Sequence, residues 1–262
     1  MSASPASAFS GASCADRCEY VLRLADTSLV LGQRLGEWLG HGPTLEEDLA
    51  LGNIALDLIG QARLLLSYAG QIEGRGRDED ALAFLRDAAD FRNVTLAEQP
   101  NGDFGQTIVR QCLLDAWRLE LYESLCGSSD EPLADIARKA VKECRYHWRF
   151  SRGWLVRLGD GTEESHARVQ AALDALWRFT GELTTPDALD VRVTTCRIAP
   201  PSAAVRERWE ERIGEALREA TLRQPPRGHY PWHGKSGVHS EHLGHLLAEM
   251  QHLQRACPGA TW

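Results

Sequence analysis

Hydrophobic residues recur at helical spacing along most of the chain, and the alternating pattern of a β-strand is almost absent. Residues 45–68 are apolar almost all the way round, apart from a thin polar stripe of Asn53, Asp57 and Gln61. The spacing of four places these three side chains on one face of a helix. A helix this apolar is typical of the interior of a helical bundle. The pattern therefore predicts an all-α protein organised around residues 45–68.

The same periodicity predicts further helices on both sides of this segment. Thr44 followed by Glu47 predicts a capping box at the start of the central helix. Residues 184–202 are predicted to be irregular and partly extended, and residues 224–237 form a Pro/Gly-rich excursion. The other predicted helices span residues 15–38, 80–90, 106–127, 132–159, 163–183, 202–222 and 239–256.

The domain organisation expected from this pattern is simple. Residues 1–15 are rich in Ala and Ser and are predicted to be a disordered tail, with neither the basic start nor the apolar core of a secretory signal. Residues 16–262 are predicted to form a single helical domain, because no repeat and no second-domain boundary is evident. No uninterrupted apolar run approaches the length of a transmembrane helix, so no membrane partner is expected.

Charge and cysteine content narrow the function classes. The net charge of −8 argues against a nucleic-acid partner, because contacts to a phosphate backbone need an excess of Lys and Arg. The seven cysteines are odd in number and scattered, without paired C-x-x-C spacing. They indicate reduced thiols in the cytoplasm rather than a disulfide framework or a zinc site.

Two groups of residues have spacings that could bind a metal. Glu143 lies four residues before His147, so the pair is either half of a metal site or a Glu–His contact that stabilises the bundle. In the last predicted helix, His245, Glu249 and His252 share a face, as metal ligands or as the polar side of a docking helix. Four more polar residues lie where a bundle places single carboxylate ligands, and we expect polar contacts or exposed charges from them: Asp26, Ser28, Asp115 and Glu120.

Long segments of the chain resemble a known family. The resemblance covers residues 20–262 and is to the non-catalytic C subunits of bacterial ring-1,2-phenylacetyl-CoA epoxidases. The segments that carry it are LRLADTSLVLGQRLGEWLGHGPTLEEDLALGNIALDLIGQARLLLSYAG, FRNVTLAEQPNGDFGQTIVRQ, KECRYHWRFSRGWLVRLGDGT, LWRFTGEL and GVHSEHLGHLLAEMQHLQR.

The resemblance implies a fold and a set of partners. The expected fold is a ferritin-like four-helix bundle with additional helices. The expected partner is a homologous A subunit that bears the di-iron centre, and a separate flavin and iron–sulfur reductase supplies electrons. The complex uses O2 to epoxidise the ring of phenylacetyl-CoA in aerobic phenylacetate degradation. This chain would bind no cofactor itself and would meet the substrate only through the complex.

The residues at the ligand positions support a degenerate role. Beside the Asp-Glu-Ala-Gly-His run of a di-iron oxygenase helix, Leu58 stands in place of the Glu and Gln61 in place of the His. On the later helix, Cys144 stands three residues before His147, where a Glu is expected. We therefore expect no catalytic residue and no metal ligand in this chain. The alternative is an independently active di-metal oxygenase or iron-binding protein that uses atypical ligands such as Asp57, Glu143 and His147.

Two surfaces are predicted for contacts outside the chain. Residues Asp90, Phe91, Arg92 and Asn93 are a candidate contact for the CoA group, because a loop Arg and Asn suit a phosphate or an adenine; a solvated loop is the alternative. Aromatic residues among arginines either form a partner interface or fill the core. These are Trp148, Phe150, Arg152, Trp154, Trp177, Arg178 and Phe179.

Overall fold

The computed structural model describes residues 12–226 and 233–260 and is helical in both ranges, without a strand. The predicted all-α class is confirmed. The α-helices, in chain order, are α1 (Cys14–Gly36), α2 (Leu45–Glu73), α3 (Glu79–Phe84), α4 (Phe104–Leu125), α5 (Glu131–Gly159), α6 (Glu163–Leu176), α7 (Thr180–Thr184), α8 (Ala188–Thr195), α9 (Ser202–Glu219), α10 (Glu241–Met250) and α11 (His252–Ala256). Single 3-10 turns lie at Ala88–Asp90, Trp177–Phe179 and Gly234–Ser236.

Four long helices enclose the centre of the protein. α1 lies along α2, α4 lies along α5, and contacts between α2 and α5 join the two pairs. α6 and α9 pack on the outer side of α4, so nearly every residue of α4 is buried. The buried hydrophobic residues of the described ranges form one continuous core. The side chains that α1, α2, α4 and α5 direct toward one another lie in this core.

The start of α2 differs from the predicted capping box. Thr44 is the N-cap residue, but its side chain accepts no hydrogen bond from the helix backbone. Its hydroxyl group instead contacts the carboxylates of Glu46 and Glu47. Asp48 holds the preceding turn, because its Oδ1 accepts hydrogen bonds from the backbone N–H groups of Gly40 and Gly42, each at 2.9 Å. The turn is thus fixed from within the helix rather than by its cap.

The predicted irregular segment 184–202 contains a helix, α8. Asp187 begins it with a capping box, and Asp190 is the N3 partner. Arg23 of α1 pairs with both carboxylates, at 2.6 Å to Asp187 and 3.2 Å to Asp190. The β-branched residues of this segment favour extended structure. The prediction was wrong because the long-range ion pairs and the burial of Val193 stabilise the helix.

Other predicted helices are shorter in the structure. The last one is interrupted at Gln251, whose buried side-chain amide donates hydrogen bonds to the carbonyl oxygens of Ala83 and Arg86. Residues 80–90 and 163–183 also divide into shorter helices and 3-10 turns. Of the predicted tail, residues 1–11 lie outside the described ranges. Ser13 caps α1, so residues 14 and 15 are helical.

α2 is less enclosed than the sequence predicts. Leu45, Leu49, Leu56 and Leu64 are exposed on its outer side, although Leu58 on its inner side is fully buried. Of the described helices, α2 alone has the length and average composition to cross a membrane, although its sequence holds no uninterrupted apolar run of that length. Half of its most apolar window is buried inside the protein.

Candidate functional site

A polar cluster lies inside the apolar core, where α1, α2, α4 and α5 meet. Its central group is the guanidinium of Arg118 on α4. Arg118 is only 1% exposed. Nη1 donates a hydrogen bond to Oγ of Ser28 on α1 at 3.0 Å, and Nη2 donates to Oε1 of Gln61 on α2. The guanidinium also lies 5.1 Å from the ring centre of Tyr122. Arg118 therefore links three helices through one buried cation.

Gln61 extends this network to the fourth helix. Its Nε2 donates a hydrogen bond to Oε2 of Glu143 on α5 at 2.6 Å. Because Oε1 of Gln61 accepts from Arg118, both ends of the amide are engaged and its orientation is determined. The cluster thus runs from Ser28 through Arg118 and Gln61 to Glu143, with a buried cation and a partly exposed carboxylate on either side of the amide.

His147 on α5 connects the core to the surface. Its Nε2 lies 3.0 Å from Oδ2 of Asp57 on α2, and the Asp57 side chain is 36% exposed. The predicted contact between Glu143 and His147 is wrong. Both side chains point from α5 toward α2, where Gln61 and Asp57 offer hydrogen-bonding partners across the helix interface.

Beside this network lie buried polar atoms that make no hydrogen bond with any described residue. They include both carboxyl oxygens of Asp115, the hydroxyl of Tyr122 and Nδ1 of His147. Burial raises the pKa of the Asp115 carboxyl, against the opposing influence of His147, of the nearby Ser151 hydroxyl and of the Arg118 charge. Burial also raises the pKa of the Cys144 thiol to about 12, although Arg118 acts in the opposite direction. Both groups are therefore biased toward their neutral forms.

These contacts show what occupies the predicted ligand positions. Leu58 is a fully buried hydrocarbon side chain, and the amide of Gln61 is engaged by Arg118 and Glu143. Cys144 is a buried thiol with a raised pKa, and His147 is paired with Asp57. No group of three or more His, Cys, Asp or Glu side chains within the described ranges is arranged to hold a metal.

The donor set does not fit a di-iron centre, because such a centre takes four carboxylates and two imidazoles. A buried guanidinium hydrogen-bonded to one of the equivalent positions would also repel a metal cation.

Three of the four single polar residues predicted near the site, Asp26, Ser28 and Glu120, make polar contacts within the protein. The expectation is wrong for Asp115, which is buried without a hydrogen bond to any described residue. Asp26 pairs with Arg86, and its Oδ2 also accepts a hydrogen bond from the backbone N–H of Arg92 at 2.8 Å. Glu120 pairs with Arg208 at 2.6 Å and Arg212 at 2.5 Å. Polar contacts were the expected outcome for these residues. On α10 and α11, three side chains are exposed, as a polar helix face requires: His245, Glu249 and His252.

Two of the four residues of the candidate CoA segment 90–93 have buried side chains. Phe91 and Asn93 are fully buried, and Nδ2 of Asn93 donates a hydrogen bond to Glu98 at 2.8 Å. Arg92 is partly exposed and pairs with Glu19 at 2.6 Å, whereas Asp90 is exposed. The contact with CoA stays a prediction, and in this conformation only Asp90 and Arg92 are placed to meet a ligand from outside.

Most of the aromatic residues considered for a partner interface belong to the core. Trp148, Trp177 and Phe179 are buried, and Trp177 stacks on Trp209 with ring centres 5.8 Å apart. Trp154 and Phe150 are half-buried, and Trp154 packs edge-on against Phe104 of α4 at 5.2 Å. Arg152 pairs with Glu219 of α9. The interface interpretation is therefore wrong for the three buried aromatics, because their rings are buried within the chain, where Trp209 and Arg212 of α9 contact Trp177 and Trp148.

Arg118 is the central residue that sequence reasoning missed. A signal for it was present on α4, where Gln111, Asp115, Arg118 and Tyr122 follow one another at spacings of four, three and four. That spacing places all four on one helix face, as on the stripe of α2. A polar stripe on each of two helices that pack into the core indicates that the stripes meet there.

Comparison with known proteins gives two matches. The whole chain, residues 1–262, matches the family model described as phenylacetic acid catabolic protein. The C subunit of the 1,2-phenylacetyl-CoA epoxidase of Escherichia coli (strain K12) is 54% identical over 243 residues, which cover 93% of this chain and 98% of the relative. The resemblance found in the sequence segments is confirmed.

Proposed function

Because the chain belongs to the phenylacetic acid catabolic protein family, we propose that it is a structural, non-catalytic subunit of a phenylacetyl-CoA 1,2-epoxidase complex. A role in phenylacetate catabolism follows from its membership of the family. The relative is itself named as one subunit of an epoxidase, which implies a complex of several components. The ferritin-like arrangement that we propose for the chain has α1, α2, α4 and α5 as its four bundle helices.

The observation that carries the proposal is the position of Arg118. Its guanidinium is buried among the helices whose counterparts in a di-iron protein supply the ligands, and it hydrogen-bonds directly to Gln61. A permanent cation there provides the positive charge that partly balances Glu143, without a metal. The centre of the bundle is thus held by hydrogen bonds within the chain, which supports a role in maintaining shape rather than in oxygen chemistry.

The proposed partners are those expected from the resemblance. A homologous A subunit would hold the di-iron centre, and a flavin and iron–sulfur reductase would supply electrons to the complex. Contact with the CoA group through Asp90 and Arg92 would take place only within the complex. Because Arg92 already pairs with Glu19, a phosphate would have to compete with that carboxylate.

The test is to purify the chain alone, the A-type subunit alone and the two together, and to measure bound iron and, with O2, the reductase and its electron donor supplied to every sample, phenylacetyl-CoA consumption. We expect no stoichiometric iron in this chain after anaerobic reconstitution, with the A-type subunit as the positive control. Turnover should require both proteins. About two irons per chain in this protein would support the di-metal alternative with Asp57, Glu143 and His147. An A-type subunit that is fully active alone would contradict the structural role.

A further inference from the structure

The outer side of α2 carries a row of exposed residues, four of which are leucines. The residues Leu45, Leu49, Asn53, Leu56, Gly60 and Leu64 follow at spacings of four, four, three, four and four, which aligns them along one face. All six are exposed, Leu45 by 70% and Leu56 by 68%. Of the eleven large hydrophobic residues that are exposed within the described ranges, six lie between positions 39 and 64. We call this row the outer α2 stripe.

Gly60 lies near the middle of α2 and within the stripe. A Cβ atom added there would meet no atom of the chain within 4 Å. Glycine is among the least favourable residues in the interior of a helix, and no packing within this chain requires it at position 60. A glycine on an exposed helix face does allow a second helix to approach the backbone closely. Gly60 and the leucines therefore indicate the same kind of occupant, a packed helix.

The charges beside the stripe favour a protein partner over a lipid bilayer. Asp57 lies next to the centre of the stripe with its side chain 36% exposed, and Glu46, Glu47 and Asp48 occupy the first turn of α2. In a bilayer the Asp57 carboxylate would lie near the middle of an α2 span, among hydrocarbon chains. A protein could cover it, because Asp57 is already paired with His147 at 3.0 Å.

We propose that the outer α2 stripe is the docking surface for a helix of the di-iron subunit of the complex, packed closely over Gly60. This inference rests on the proposed function and adds the face through which the chain acts. The partner helix would carry apolar side chains opposite Leu49 and Leu56 and a basic side chain beside Asp57. The surface is a different one from the aromatic residues considered above, of which Trp148, Trp177 and Phe179 lie in the core of this chain.

The test is the affinity of this chain for the A-type subunit, measured with purified proteins. Gly60→Leu fills the open space above α2 and should fold normally, because leucine is the better helix former. Gly244→Leu is its matched control, since Gly244 is an exposed helical glycine of α10 with no atom within 4 Å of an added Cβ. Leu56→Glu has Leu85→Glu as its control, because Leu85 is 60% exposed away from the stripe.

We expect Gly60→Leu and Leu56→Glu each to weaken association by at least about tenfold, with unchanged thermal unfolding of the isolated chain and no effect of either control. Equal affinity of Gly60→Leu and wild type would overturn the docking site and leave the proposed function standing. A wild-type chain that does not bind the A-type subunit at all would overturn both. Sedimentation or vesicle binding that only the stripe variants abolish, with the complex intact, would assign the stripe to a second copy or to a membrane and overturn the proposal.

Discussion

Two buried carboxylates, Glu98 and Asp115, lie in equally enclosed surroundings but differ completely in their hydrogen bonds. Oε1 of Glu98 accepts from the backbone N–H and the hydroxyl of Ser240, at 2.6 and 2.7 Å. Its Oε2 accepts from Nδ2 of Asn93 at 2.8 Å and lies 2.7 Å from Nδ1 of His239. Neither oxygen of Asp115 makes a hydrogen bond with a described residue.

The difference distinguishes a carboxylate that joins two segments through hydrogen bonds from one that is buried without them. Glu98 fastens the segment before α4 to the segment before α10, and its donors come from both. Asp115 lies on the same helix face as Arg118, and burial biases its carboxyl toward the neutral form. Burial alone therefore does not tell which polar residue stabilises this fold. The number of donors aimed at it does.

The largest effect on stability should come from removing the Glu98 carboxylate. Glu98→Ala would leave the buried donors of Asn93, His239 and Ser240 without a partner, and we expect a loss of about 3–5 kcal/mol in the free energy of unfolding. Asp115→Asn replaces a carboxyl that makes no hydrogen bond, so it should change the free energy by less than about 1 kcal/mol. Urea unfolding of both variants measures these two losses. Equal losses of free energy would show that the two carboxylates contribute equally to stability.

Replacing the central cation should have the next largest effect. Arg118→Met keeps most of the side-chain volume but removes the hydrogen bonds to Gln61 and Ser28, and we expect the free energy of unfolding to fall by about 2–4 kcal/mol. Arg145→Met is the control, because Arg145 is exposed and its pair with Glu123 should contribute less than about 1 kcal/mol. Unfolding by urea distinguishes them. A fully stable Arg118→Met variant would show that the cluster is not needed for the fold.

A smaller effect is expected for His147→Ala. The change removes a buried ring and leaves the carboxylate of Asp57 without its partner at 3.0 Å, which should destabilise the chain by about 1–3 kcal/mol. Because Asp57 is partly exposed, water can replace part of the lost contact, so the low end of this range is expected. Turnover per assembled complex should be unchanged. A variant that melts and assembles normally but no longer supports turnover would give His147 a role in the chemistry.

The smallest expected effect is a pH dependence of the stability that the contact between Glu98 and His239 contributes. Burial lowers the pKa of His239, but the hydrogen bond and the charge of Glu98 outweigh it, so the pKa is raised above 6.5. A raised pKa in the folded state means that the protonated His239 stabilises the fold fully below about pH 6.5, and that this contribution is lost as the pH rises through the folded pKa.

Thermal unfolding between about pH 5.5 and 8 tests this expectation. The advantage of wild type over His239→Gln should shrink toward the alkaline end, on the scale of about 1.4 kcal/mol per unit of pKa shift. His245→Gln is the control, because His245 is exposed. A constant difference across this range would contradict a contribution from protonated His239.

Features that depend on neighbours along the chain could be predicted from the sequence. Helical periodicity is set by side chains three and four residues apart, so the long helices and the polar stripe of α2 were evident without a structure. Leu58 and Gln61 were predicted to be replaced ligand positions because the residues around them resemble the pattern of a di-iron helix, and this stays a prediction. The prediction of the family was correct for the same reason, because the chain and its Escherichia coli relative are 54% identical and share long stretches of sequence.

Only the tertiary structure decided which residues meet across the helices. Local spacing predicted a contact between Glu143 and His147. In the structure, Glu143 instead accepts a hydrogen bond from Gln61, and His147 contacts Asp57, both on α2. Arg118 was overlooked because a charged residue on a helix is usually exposed, and only the packing of α1 and α2 beside α4 supplies its buried acceptors. The sequence of α2 is apolar on almost every side. The sequence alone therefore does not show which side of α2 the rest of the chain covers. That choice depends on how distant helices pack, which is why the fold leaves the outer α2 stripe exposed.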